Sequence, residues 1–101
     1  MRHKYNASPQ KVDGHRFDSK AELAFAQLLE QEKADGLVIQ YLRQVPFHLP
    51  GGIKYVCDFM VFNADGEVRF IDVKGMDTPA SKIKRKQVEE LYAPIRIMVV
   101  K

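Results

Sequence analysis

The chain has 101 residues, of which 46% are hydrophobic, and a formal net charge of +3 at pH 7. That length allows one domain around one core, and the composition excludes a chain that is disordered throughout. No apolar run approaches the ~20 residues needed to span a bilayer, and the N-terminus lacks the apolar stretch of a secretory signal. The single cysteine, Cys57, excludes an internal disulfide and a cysteine-built zinc site. We therefore expect a cytoplasmic protein.

The first segment, residues 1–16, is basic and shows neither helical nor strand periodicity. Its only acidic residue is Asp13, and its lysines and arginines are Arg2, Lys4, Lys11 and Arg16. We expect an extended basic arm over residues 1–16, followed by one domain over residues 17–101. Clustered basic residues attract polyanions such as nucleic acid, although a solvated surface is the alternative for a charge run alone.

A helix is predicted to begin after Ser19. Ser19 is a favourable N-cap, and Glu22 three residues later completes the pattern of a capping box. An apolar stripe recurs at helical spacing, formed by Ala21, Ala24, Phe25, Leu28 and Leu29. Asp35-Gly36 is predicted to end the helix.

Strand signals follow the helix. Residues 37–41 and 45–49 are rich in β-formers, and Pro46 assigns the second of these segments to a sheet edge. After a turn at residues 50–52, strands are predicted over residues 54–62 and 68–74. The turn at residues 63–66 is so short that these two strands must form an antiparallel hairpin.

A second helix is predicted from the cap Thr78 and from Pro79 at its first position, ending near Tyr92. Residues 95–100 then read as a strand buried on both faces, with a parallel neighbour. The order helix, strands, helix, strand predicts an α/β fold in which a mixed sheet is flanked by helices.

Charged residues lie in the predicted hairpin where apolar ones are expected. Asp72 and Lys74 are two residues apart, so their side chains leave the same face of the strand. Asp58 lies within the preceding strand, and two neighbouring carboxylates repel each other unless a cation compensates them. Mg²⁺ is such a cation, since it prefers carboxylate oxygens.

Two simpler interpretations stay open for these residues. An isolated Asp-x-Lys is more often an ion pair at a sheet edge than a catalytic group. Glu22 is explained by the capping box alone, but it also lies beside Leu29 at the margin of the apolar stripe, from where it could point along the sheet toward a metal.

An acid on an early helix, an aspartate in a strand, and Asp-x-Lys at the end of the next strand resemble the PD-(D/E)xK nuclease superfamily. Here those residues are Glu22, Asp58 and Asp72-Val73-Lys74. The resemblance covers about residues 16–100 and includes the αβββαβ order of the restriction-endonuclease-like core. The chain looks most like small phage-encoded members and is similar in layout to Holliday-junction resolvases. It departs from the name motif in having Cys57, not proline, before Asp58.

The resemblance implies a metal-dependent deoxyribonuclease. Asp58 and Asp72 would bind one or two Mg²⁺ or Mn²⁺ ions with the carbonyl of Val73, and Glu22 would complete the site. Lys74 would orient the nucleophile or neutralise the transition state. Hydrolysis would leave a 5′-phosphate.

The basic run of the second helix is predicted to bind DNA phosphates, which fixes position without reading sequence. The predicted DNA contacts are Lys82, Lys84, Arg85 and Lys86, with Arg16 from the arm. Lys82, Arg85 and Lys86 share one helix face, and Ile83 and Val88 are expected toward the core. A domain this small favours structure-directed cutting of branched DNA, and a homodimer by analogy. The competing hypotheses are a non-catalytic nucleic-acid-binding module and an inactive phage accessory protein with a nuclease-like fold.

Overall fold

The computed structural model describes residues 10–12, 15–17 and 19–101, with side chains from residue 19 onward. Two short strands, β1 (Gln10–Val12) and β2 (His15–Phe17), pair antiparallel in a ribbon of their own. These residues of the predicted extended arm are therefore strands, although the sequence shows no strand periodicity there, because backbone pairing does not require an alternating apolar pattern. The rest of the predicted arm, residues 1–9, lies outside the described part.

Helix α1 (Lys20–Ala34) begins and ends where the sequence predicts. The Ser19 hydroxyl accepts a hydrogen bond from the Glu22 amide at 3.0 Å. Gly36, with φ of 79°, ends the helix in a left-handed conformation that glycine adopts without strain. The predicted apolar stripe is right for Leu29, which is buried, and for Phe25, which packs against the core. It is wrong for Ala21, Ala24 and Leu28, which are exposed, whereas Glu22 and Ala26 are buried. The Glu22 carboxylate lies on the inner face of α1, so the pattern of apolar residues alone does not predict which face of the helix is buried.

Strands β3 (Val38–Leu49), β4 (Ile53–Asn63) and β5 (Val68–Val73) form an antiparallel meander. β3 is one long strand where two were predicted, because its pairing with β4 continues through Arg43↔Phe59 and Val45↔Cys57. It lies at the edge of the sheet, as Pro46 predicts. The hairpin of β4 and β5 is confirmed.

Helix α2 (Pro79–Leu91) is capped by Thr78, whose hydroxyl accepts a hydrogen bond from Ser81 at 3.2 Å. It returns the chain to β6 (Ile97–Val100), which pairs parallel with β5 and completes the sheet order β3-β4-β5-β6. The parallel pairing is confirmed, but β6 is not buried on both faces. Met98, on the last strand of the sheet, is 53% exposed.

The two helices cover opposite faces of this four-stranded mixed sheet, and the predicted α/β class with αβββαβ order is confirmed for the described residues. The cluster under α1 contains Ala26, Leu29, Val38, Phe59, Val61 and Ile71. The cluster under α2 contains Phe47, Leu49, Tyr55, Cys57, Val88 and Ile97. Neither helix is long and apolar enough to cross a membrane.

The buried face of the β3–β4 hairpin turns from α1 to α2 along its length. Phe59 belongs to the cluster under α1, whereas Cys57, two residues away on the same strand, belongs to the cluster under α2. The change falls at Asp58 on β4 and opposite it at Gln44 on β3, a non-glycine residue with φ of 55°. Polar residues therefore lie at the point where the buried face of the hairpin changes from α1 to α2.

Candidate functional site

β4 and β5 part at the two predicted aspartates. Their ladder runs from Phe62↔Val68 to Phe59↔Ile71, and beyond it the carboxylates join the strands. The Asp58 amide donates to Asp72 Oδ1 at 2.9 Å, and the Val73 amide donates to Asp58 Oδ2 at 2.9 Å. Each aspartate thus accepts a hydrogen bond from the opposite strand, and the predicted approach of the two carboxylates is what the hairpin produces.

Asp72 is almost completely buried, at 1% exposure. Its second oxygen, Oδ2, makes no hydrogen bond within the described residues, and the Lys74 ammonium lies 3.6 Å away. A buried carboxylate oxygen without a hydrogen bond is costly, and buried carboxylates are ordinarily paired or bound to a metal. The Asp72–Lys74 ion pair that the simpler interpretation predicts is therefore present, yet it leaves Oδ2 with unused capacity.

Burial raises the pKa of both aspartates. For Asp72, loss of solvation outweighs the hydrogen bond from Asp58 and the positive charges of Lys74 and Arg85. For Asp58, the same loss outweighs the Val73 amide, Lys74 and Gln44. Two neighbouring carboxyl groups that the protein alone does not fully stabilise as anions are suited to a cation or a proton.

Lys74 follows β5, and its amide donates to the Val100 carbonyl at 2.8 Å, which fixes the backbone against β6. Its ammonium lies 5.8 Å from the ring centre of Tyr55. The Tyr55 hydroxyl is buried without a hydrogen-bond partner in the described part of the chain. Lys74 is thus placed between the carboxylate of Asp72 and an aromatic face, with its charge on the α2 side of the sheet.

The Glu22 side chain points from α1 to β3. Its Oε2 accepts hydrogen bonds from Arg43 at 3.0 Å and from Gln44 at 2.9 Å. The Gln44 amide nitrogen also lies 3.4 Å from Asp58 Oδ1. The Ser19 half of the capping box is present, and the carboxylate additionally reaches along the sheet to the neighbour of Asp58.

The three predicted acids form one close pair, Asp58 and Asp72, and a more distant third member, Glu22. Asp58 and Asp72 are in direct register, whereas Glu22 is separated from Asp58 by the Gln44 amide. Within residues 19–101, no three His, Cys, Asp or Glu side chains are grouped closely enough to hold a metal. The Asp72 oxygen without a hydrogen bond and the Asp58 carboxylate, beside the Val73 main chain, are nonetheless the kind of oxygen donors that a hard divalent cation prefers.

The basic helix α2 differs from its prediction at Ile83, and Arg85 has a partner that the sequence did not indicate. Arg85 makes a two-pronged ion pair with Asp77, at 3.0 Å and 2.6 Å, and this pair lowers the pKa of Asp77. Ile83, expected toward the core, is 59% exposed, whereas Val88 is fully buried as predicted. Lys82, Lys84 and Lys86 are exposed. Arg16 lies in β2, and its side chain is outside the described part.

Arg43, Gln44 and Asp77 are site residues that the sequence interpretation missed. Arg43 and Gln44 stand in the segment that was predicted to separate two strands, so their approach to Glu22 had no local signal. Asp77 follows Lys74 by three residues, and an acid eight residues before Arg85 gives no helical spacing from which a pair could be inferred.

Comparison with known proteins adds a family but no activity. No curated protein matches the chain. Residues 2–101, nearly the whole sequence, match the family described as "Protein of unknown function (DUF1064)". Since the match covers far more than half of the sequence, the chain belongs to the DUF1064 family.

Proposed function

We propose that this protein is a divalent-metal-dependent endonuclease that hydrolyses DNA phosphodiester bonds and leaves 5′-phosphates. The observation that carries the proposal is the buried Asp72 oxygen without a hydrogen bond, next to Asp58 and Lys74. The Lys74 ammonium is the partner of this oxygen, but at 3.6 Å it lies beyond hydrogen-bond distance, although the carboxylate is only 1% exposed. A buried oxygen without a hydrogen bond suits a site that binds a cation during function.

Asp58 and Asp72 would bind Mg²⁺ or Mn²⁺, with the Val73 carbonyl as a further oxygen ligand and Glu22 entering from α1. A divalent cation in such a site supplies a Lewis acid that offsets negative charge on the phosphate. Lys74 contributes a fixed positive charge on the same face and neutralises charge that develops during the reaction. The carboxylates are held by backbone amides of the opposite strand, so the site is organised before substrate binds.

DNA would approach over α2, where Lys82, Lys84 and Lys86 are exposed. Lysines bind phosphate as point charges and carry no sequence information, which favours recognition of DNA shape. Arg85 belongs to the support of this surface, since its guanidinium is bound to Asp77. We propose that the substrate is branched DNA and that a homodimer with two active sites cuts it. The setting that we propose is the cytoplasm of a phage-infected host.

The test is cleavage of labelled branched and linear DNA in the presence of Mg²⁺, Mn²⁺ or EDTA. We expect cutting with metal, none with EDTA, and none with Asp72→Asn or Lys74→Met. Asp65→Asn is the matched control, because Asp65 lies in the exposed turn between β4 and β5. The proposal is wrong if a broad panel of DNA substrates is bound but never cut.

A second function, nucleic-acid binding without catalysis, is favoured by the ion pairs already present. Glu22 is paired with Arg43 at 3.0 Å and Asp72 with Lys74 at 3.6 Å. Under this hypothesis the acids are structural, and Mn²⁺ does not bind. Calorimetric titration of Mn²⁺ into wild type and Asp58→Asn separates the two functions, since only the nuclease predicts a binding signal that the substitution removes.

A further inference from the structure

Gln44 has a backbone conformation that its residue type disfavours. Its φ is 55°, whereas the other positive φ values in the described part of the chain belong to glycines. The Cβ atom makes the left-handed region unfavourable for any residue other than glycine, so a glutamine remains there only when its surroundings fix it. The pairs Arg43↔Phe59 and Val45↔Cys57 supply that constraint on both sides of it.

The side chain of Gln44 bridges two acids from different elements. Its amide nitrogen donates to Glu22 Oε2 at 2.9 Å and lies 3.4 Å from Asp58 Oδ1. Both neighbours are acceptors, which identifies the nitrogen, and not the oxygen, as the amide atom between them. Gln44 thus connects the acid on α1 to the acid on β4.

The Gln44 bridge affects the distance between two acids of the candidate site. Glu22 is 5% exposed and is held over β3 by Arg43 as well as by Gln44. Arg43 neutralises the charge of Glu22, and the Gln44 amide contacts both carboxylates. The amide therefore determines how near the helix acid lies to the strand acids.

We propose that Gln44 is a positioning residue of the metal site, which holds the Glu22 carboxylate beside Asp58 so that acids from α1 and β4 act on one divalent cation. This inference rests on the proposed function. The strained backbone aims the amide between the two carboxylates, and the amide acts through them without binding the cation itself. Groups that orient metal ligands in this way contribute strongly to metal affinity.

The test is calorimetric titration of Mn²⁺ into Gln44→Gly. The control is Gln87→Ala, at an exposed position of α2, and not Gln87→Gly. Glycine accepts a positive φ, so Gln44→Gly removes the amide without adding strain. We expect its Mn²⁺ dissociation constant to rise about tenfold or more, with a circular-dichroism melting midpoint close to that of wild type. Gln44→Asn, which tolerates the same backbone region but has a shorter amide, serves as the second variant and should also bind Mn²⁺ more weakly.

A double-mutant cycle with Glu22→Gln distinguishes positioning from a general structural role. If Gln44 acts through Glu22, the double variant should bind Mn²⁺ hardly more weakly than Glu22→Gln alone. Additive losses, or a loss that follows the melting midpoint, would overturn the positioning role.

The outcomes also separate this inference from the proposed function. Wild-type binding of Mn²⁺ that Asp72→Asn removes, together with unchanged binding by Gln44→Gly and Gln44→Asn, overturns the role of Gln44 and leaves the metal site intact. Absence of Mn²⁺ binding by wild type overturns the metal site, and the positioning role with it.

Discussion

Asp58 and Asp72 each accept a backbone hydrogen bond from the strand that carries the other. Asp72 accepts from the Asp58 amide and Asp58 from the Val73 amide, both at 2.9 Å. These two bonds continue the join between β4 and β5 after the regular ladder ends at Phe59↔Ile71. The carboxylates are therefore structural acceptors as well as candidate ligands. Substitutions that keep the acceptor can be separated from substitutions that remove it.

Asp72→Asn and Asp72→Ala should affect stability differently. Asparagine retains an oxygen for the Asp58 amide and removes a buried charge, so the free energy of unfolding in EDTA should stay within about 1 kcal/mol of wild type. Alanine leaves that amide without its acceptor, and we expect a loss of about 1–3 kcal/mol. Urea denaturation measures both, with Asp65→Asn as control. Equal losses for the two Asp72 variants would contradict the structural role of Oδ1.

The pH dependence of stability should reveal the buried pair. Burial raises the folded-state pKa of Asp58 and Asp72 above the ordinary 3.8, so the folded protein binds protons more tightly than the unfolded chain. Their contribution to the free energy of unfolding therefore falls as pH rises from 3.8 through the raised pKa values, and is constant above them. Asp77, whose pKa is lowered by Arg85, contributes in the opposite direction below 3.8.

Urea denaturation in EDTA across this pH range tests that sign. The variant Asp58→Asn/Asp72→Asn should lose the decline above pH 3.8, whereas wild type keeps it. Saturating Mn²⁺ should restore stability to wild type at neutral pH by binding the folded state. A decline of the same size in the double variant would assign it to other groups.

Tyr55→Phe should be neutral or stabilising, by up to about 1 kcal/mol, because the Tyr55 hydroxyl is buried without a hydrogen bond in the described chain. The matched control is Tyr92→Phe. The Tyr92 hydroxyl donates to the His48 carbonyl at 2.7 Å, so its removal should cost about 1 kcal/mol. Thermal denaturation of both variants checks the contrast, and a marked loss in Tyr55→Phe would show that its hydroxyl has a partner.

Cys57 should be unreactive in the folded protein. It is fully buried, and loss of solvation raises the pKa of its thiol to about 11. Since the thiolate is the reactive form, a chromogenic disulfide reagent at neutral pH should modify Cys57 only as fast as the protein unfolds. The variant Cys57→Ser/Ala80→Cys, with its thiol on exposed α2, should react at once. Rapid labelling of wild type would place Cys57 nearer to solvent than the fold does.

The exposed lysines of α2 should contribute to DNA affinity through charge alone. Lys82→Ala and Lys86→Ala should each weaken binding equally for different sequences and reduce the salt dependence of log K by about 1. Fluorescence anisotropy in EDTA over a range of salt concentrations measures both effects. Lys33→Ala is the control, since Lys33 lies at the end of α1 on the other face of the sheet. An unchanged slope would exclude α2 as the phosphate-binding surface.

The sequence predicts the local parts of this structure well. Ser19, Thr78 and Gly36 mark helix ends through short-range geometry, and the short turn after β4 brings Asp58 opposite Asp72. These features depend on residues only a few positions apart or on one hairpin, so local rules suffice.

The features that the sequence did not predict depend on coiling and distant contacts. Gln44 reaches Glu22 only because the β3–β4 hairpin turns its buried face from α1 to α2. Glu22 lies on the inner face of α1 because Arg43, 21 residues away, meets it there. Arg85 is bound by Asp77 across the start of α2, and no periodic pattern in the sequence predicts that pair.

The join between β4 and β5 also has a consequence for how this family can change over time. Under the proposed function, replacement of Asp58 or Asp72 with a small apolar residue would remove a metal ligand and would also weaken the sheet, so drift at these positions meets two independent penalties. A relative that had abandoned catalysis but still folded would be expected to carry asparagine there. The residues at these two positions therefore distinguish family members that could keep the proposed activity from members that keep only the fold.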